Sequence, residues 1–171
     1  MTDTGRAIRR IVLIAFLTAI LETAKFALNA IANVELITLL IIIFTRRFGA
    51  RMMFAVCLVF TVLECLWWGI SIWTVTYFYV WPILVIMVYL ARKMTSALSW
   101  AILAGAYGLV FGALCSLTTL AIGGFSAAVS WWIAGIPYDL VHCVSNFLIC
   151  LFLFRPLSAA LDHMPIMYYF L

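Results

Sequence analysis

Apolar residues in this chain do not alternate with polar ones. They run together in six long blocks covering residues 11–28, 35–48, 53–72, 77–91, 99–122 and 131–154. Continuous apolar blocks of this kind predict helices that satisfy their own backbone hydrogen bonds in lipid. At about 1.5 Å of rise per residue, roughly 20 residues cross a bilayer core. The first, third, fifth and sixth blocks meet that length. The second and fourth are short, and predict either steep helices or helices that stop before the far surface. The expected architecture is an all-α membrane protein, a single bundle of six transmembrane helices forming one domain over 1–171. The tail 157–171, with Asp162, His163, Pro165, Tyr168 and Tyr169, predicts a short interfacial segment.

Composition supports lipid as the solvent. Of 171 residues, 68% are hydrophobic and 9% charged, more apolar surface than a soluble domain of this size can hide. Arg6, Arg9 and Arg10 precede a long apolar run with no small-residue cleavage site, so the first block is expected to stay as a span. The five cysteines, Cys57, Cys65, Cys115, Cys143 and Cys150, all lie in apolar runs and read as small buried hydrophobes.

Charge adds direction. Nine of the ten Lys and Arg residues fall before block one (Arg6, Arg9, Arg10), between blocks two and three (Arg46, Arg47, Arg51), after block four (Arg92, Lys93) or after block six (Arg155). If six spans alternate, all nine lie on one side, and the connections 29–33, 71–76 and 123–130 carry none. The positive-inside rule then places both termini in the cytoplasm of a multi-pass plasma-membrane protein. The tenth, Lys25, sits within block one.

Polar residues inside spans are costly and usually face the protein interior or a cavity. Block one carries Glu22, Lys25 and Asn29 at spacings of three and four, on one helical face. Block three carries Glu64, Trp67, Trp68 and Ser71. Block six carries Asp139, His142 and Asn146, just after Pro137, which predicts a nearby helix start or kink. Trp73, Tyr77, Trp81, Trp131 and Tyr138 gather on the side away from the arginines, with Trp100 the main aromatic on the other. Together these stripes predict one outward-facing cavity, walled by aromatics, in which Glu22, Lys25, Glu64, Trp67, Asp139, His142 and Asn146 converge. A buried acid needs a partner, so Lys25 is expected to contact at least one of Glu22, Glu64 and Asp139. Aromatic belts and an ion pair that merely locks helices would produce part of the same pattern.

No GxxxxGK[ST] loop is present, so the chain is not expected to bind ATP by that route or to act as an enzyme. No paired Cys/His spacing supports a metal, no cofactor is called for, and no nucleic-acid partner is expected. Small residues mark two helix-packing faces. One is Ala15 and Ala19 in block one. The other is Gly108 and Gly112 in block five, extended by Ala101, Ala104 and Gly105, which reads as packing within the bundle.

Four features carry a family resemblance. They are the six-span plan at this length, Ala15xxxAla19 in span one, Asn33-Val-Glu-Leu-Ile-Thr-Leu-Leu40 opening span two, and Gly135-Ile-Pro-Tyr-Asp-Leu-Val-His142 with Asn146-Phe147 in span six. In these the chain resembles the substrate-binding (S) components of energy-coupling-factor transporters, the ABC-type systems that import vitamins into prokaryotes. The resemblance implies capture of a vitamin from outside, as transported cargo rather than cofactor. It implies assembly with a transmembrane coupling subunit and two ATPase subunits, which would hydrolyse the ATP. It assigns Ala15 and Ala19 to the coupling-subunit interface. It makes the connection 29–35, with Asn29, Asn33 and Glu35, part of the cover over the pocket. A cobalamin-type corrinoid would suit a wide aromatic rim, with Cys115, Cys143 or His142 near its cobalt; a pyrimidine vitamin precursor or pantothenate are alternatives. Two other functions share the plan: a six-span scaffold or morphogenesis protein, and a small ion-coupled carrier relaying through Glu22, Glu64, Asp139 and His142.

Overall fold

A computed structural model describes residues 3–163. The described residues form five helices and no strand: α1 (Asp3–Leu28), α2 (Ile37–Phe48), α3 (Ala50–Trp68), α4 (Ile72–Leu90) and α5 (Ala97–Asp162). Helices α1, α3, α4 and α5 are long and apolar enough to cross a membrane. This is an all-helical architecture compatible with a membrane-embedded protein.

The count of helices differs from the six blocks because α5 covers the last two. Its 66 residues would extend roughly 100 Å if straight, several times what a bilayer core needs. The chain instead breaks at Gly124, whose φ of 80° and ψ of −178° suit a residue without Cβ. The two arms of α5 then run back along each other. A Cβ on Gly108 would lie 2.7 Å from the His142 carbonyl oxygen, and one on Gly105 would lie 3.1 Å from Phe147 Cβ. The small-residue face of block five is therefore spent inside the bundle, where glycine lets backbones touch. The expected connection 123–130 is helical on both sides of the break, and Pro137 lies within the second arm rather than at a helix start.

Helix α2 is the core of the molecule. Its residues from 37 to 45 are all buried, and it packs on the other four helices. An element apolar on every side belongs in the interior. At 12 residues it rises only about 18 Å. Helix α4 is longer than its block suggested, because Ser71 begins it early: the Ser71 hydroxyl accepts from the Thr74 N–H, and the Thr74 hydroxyl accepts from the Ser71 N–H. Hydrogen bonds tie α4 to α5 within the apolar zone. The Tyr107 hydroxyl donates to the Val80 carbonyl and the Tyr79 hydroxyl to the Leu114 carbonyl, each at 2.8 Å, and the Thr76 and Thr118 hydroxyls meet at 2.9 Å.

One end of the bundle gathers arginines. The Arg46 guanidinium lies over the rings of Trp100 and Phe154, at 5.0 and 5.2 Å, and Arg47 pairs with Asp162 at 3.3 Å. These contacts bring the end of α2 to both ends of α5. The expected tail segment is helical to Asp162, and its residues 164–171, including Pro165, Tyr168 and Tyr169, lie outside the described residues.

Candidate functional site

The opposite end carries two adjoining cavities beneath the α1–α2 connection. Asn33 shapes that connection. It sits at φ 57°, a left-handed conformation that asparagine tolerates better than most residues. Its side chain donates to the Tyr138 carbonyl at 2.9 Å, and its own carbonyl accepts from the Ser145 hydroxyl at 2.8 Å. The connection is thus strapped to the second arm of α5. Two residues on, Glu35 faces both ways. Its Oε2 accepts from the Thr38 N–H at 2.8 Å, where α2 begins, and its Oε1 lies 3.2 Å from His142 Nε2. His142 is buried and stands edge-on to Phe111 at 4.8 Å.

The first cavity has a volume of about 220 Å³. Its walls carry Lys25, Asn29, Asn33, Glu35, Tyr77 and His142. These six come from α1, the connection, α4 and α5, and sequence reasoning had singled out all of them. Lys25 forms an ion pair with Glu64, which is 1% exposed and lies behind the cavity wall on α3. The Lys25 amine also sits 4.7 Å from the centre of the Tyr77 ring, a cation–π contact. Lys25 therefore does contact one of the three acids, as expected, and the acid is Glu64.

The second cavity, about 360 Å³, is mostly apolar and is lined by Trp73, Trp131, Tyr138 and Asp139. It shares Ala32, Asn33 and Phe111 with the first, so these residues form the partition between the two. Asp139 is 5% exposed; its Oδ1 accepts from the Gly112 N–H at 2.9 Å, and its Oδ2 has no hydrogen-bond partner.

Five expected site residues line neither cavity: Glu64, already placed behind the wall, and Trp67, Trp68, Glu22 and Asn146. Trp67 and Trp68 are 71% and 51% exposed, and pack on Phe26 at 5.4 and 6.1 Å on the outside of α1 and α3. They end α3 just before Gly69, and no residue of α3 lines either cavity. Glu22, one turn before Lys25 on α1, instead lines an open groove with Ala19 and Leu63. Asn146 is buried one turn past His142 and donates to the Thr38 hydroxyl at 3.2 Å, so it braces α2 against α5. The single cavity expected from the polar stripes is thus two, and the seven residues expected to converge do not share one wall. Several wall residues are not assigned to the site from sequence, Trp81 and Phe111 among them. Trp81 was grouped only with the outer aromatics. Phe111 had no signal at all, because a phenylalanine within an apolar span looks the same whether it faces lipid, core or cavity. No protein-family model, curated protein or solved structure matches this chain.

Proposed function

We propose that this protein is the substrate-binding component of an energy-coupling-factor transporter, a six-span membrane subunit that captures a small vitamin for ATP-driven import by partner subunits. One observation carries the reading. Polar groups from α1, α4, α5 and the α1–α2 connection meet at a cavity on the end of the bundle away from the arginines. With the arginine end in the cytoplasm, the cavities open outward and both termini lie inside. The two arms of α5 count as the fifth and sixth spans. Drug-sized ligands fill cavities of roughly 300–1,000 Å³, and adjoining spaces of about 220 and 360 Å³ suit a ligand of that scale. This favours a cargo the size of a pyrimidine precursor or pantothenate over a corrinoid. A cobalt centre would find little to bind: Cys115 and Cys143 line neither cavity, and His142 Nε2 is held by Glu35. The test is equilibrium binding of a vitamin panel to the purified protein; no saturable binding of any vitamin removes the reading.

Orientation has its own test. Single cysteines at Thr4, Ala50 and Thr95 are expected to react with an impermeant thiol reagent only from the cytoplasm, and one at Ser126 only from outside. Outside labelling at Ala50 refutes the arrangement.

The partner face follows from α1, where Ala15 and Ala19 are both exposed. Small exposed residues on a span let another helix approach closely. Ala15→Trp or Ala19→Trp is expected to abolish co-purification with the coupling subunit and transport, while vitamin binding to the isolated chain stays within about twofold, because neither residue lines a cavity. Intact assembly in both variants removes this face from the interface.

A further inference from the structure

The second cavity combines three tryptophan and tyrosine rings with a single buried carboxylate. Trp73 and Trp131 approach at 5.5 Å between ring centres with planes 54° apart, forming an aromatic corner, and Tyr138 adds a third ring. Asp139 is the one charged side chain on this cavity among the described residues; Lys25, Glu35 and His142 belong to the first. No salt bridge engages Asp139 among the described residues, and its Oδ2 is buried without a partner. An ionised carboxylate in an apolar surrounding calls for a counter-charge or a donor. Aromatic rings attract cations through their negative faces and offer nothing comparable to an anion.

We propose that this cavity is an organic-cation subsite. The rings of Trp73, Trp131 and Tyr138 and the carboxylate of Asp139 receive an ammonium or a positively charged heteroaromatic ring. The remainder of the ligand extends past Asn33 and Phe111 into the first cavity, where Lys25, Asn29 and the Glu35–His142 pair offer polar contacts. The proposal rests on the binding reading above and adds the charge of the cargo to it. An anionic head group in this cavity would face Asp139 with no cation to offset it.

Two isosteres isolate the charge. Choline and 3,3-dimethyl-1-butanol differ by one N⁺ against carbon, and both dissolve in water. With the full chain in a neutral maltoside detergent, tryptophan fluorescence titration is expected to show choline binding at least about tenfold tighter than the alcohol. Benzyltrimethylammonium is expected to bind more tightly still, having a ring to stack. Asp139→Asn keeps an oxygen to accept from the Gly112 N–H but removes the charge. It is expected to lose most of the choline preference while the alcohol titrates as before. Trp131→Ala and Trp73→Ala keep the carboxylate and remove rings. They are expected to lower the same preference, and they provide the reading if Asp139→Asn fails to fold. Equal binding of the two isosteres, absence of saturable choline binding, or a preference unchanged in these variants each overturns the proposal. Assembly with the coupling subunit separates the two claims. If assembly holds while choline fails, only the subsite falls. If choline binds while assembly fails, the subsite stands and the transporter reading falls.

Discussion

Lys25→Met is expected to lower the stability of the protein by about 3–5 kcal/mol, the usual cost of stranding a buried charge. Glu64 is 1% exposed and its partner is Lys25, on a different helix. Removing the amine leaves the carboxylate on α3 with no cation among the described residues to replace it. Burial of the Met stem does not offset this, since the lost term is electrostatic. The double variant Lys25→Met/Glu64→Leu removes both charges and is expected to recover most of the loss, because replacing a whole buried pair with apolar groups is often close to neutral. Thermal unfolding in detergent of the parent, the two single variants and the double variant checks this. A Lys25→Met protein as stable as the parent shows that the pair contributes nothing. Because Lys25 also lines the first cavity, the double variant separates roles: restored stability without restored ligand binding identifies Lys25 as a ligand contact as well as a structural one.

Gly108→Leu is expected to be at least as damaging. Even a Cβ at this position would lie 2.7 Å from the His142 carbonyl oxygen and 2.9 Å from the Cys143 backbone nitrogen. Backbone atoms cannot swing aside as a side-chain tip can, so the two arms of α5 must separate. Overpacking commonly costs about 1–3 kcal/mol and sometimes more, and here it acts along a whole helix seam. The arm that moves carries Asp139 and His142, so both cavities lose a wall. Poor recovery of folded protein and a lower unfolding midpoint are the expected readouts. Gly135→Ala, which meets nothing within 4 Å, is the matched control and is expected to be neutral for stability.

The partner-face and orientation tests bear on the proposed function; these two bear on what holds the site. They share a physical theme. In lipid, apolar contact between helices has little driving force of its own, so close backbone packing and paired polar groups must hold the bundle. The seam of Gly105, Gly108 and Gly112 is the first device, and Lys25–Glu64 with the Tyr79, Tyr107 and Thr118 hydrogen bonds is the second.

The sequence by itself determined the helical, membrane-compatible character, because unbroken apolar blocks admit few other structures in lipid. It determined that Lys25 would meet an acid, since Lys25 is the one cation within a span. Asn29, Asn33, Glu35, Tyr77 and His142 were all among the candidate site residues, Asn33 and Glu35 through the family resemblance, and the structure brings them to one cavity. Tertiary structure alone decided that α2 lies at the centre. Lipid-facing and protein-facing positions are both apolar, so hydropathy carries no inside and outside. The same lack of contrast hid Phe111, and it made Trp67 and Trp68 read as pocket walls when they face outward. Helical periodicity places Glu22 and Lys25 on neighbouring positions of one stripe, yet the neighbours that α1 meets send Lys25 to the cavity and Glu22 to the outer groove. A stripe on one helix records only direction around its own axis. Which stripes share a cavity depends on how the axes are placed, and that is set by the glycine seam of α5 and the Asn33 strap, whose contacts join residues 27 or more apart in the chain.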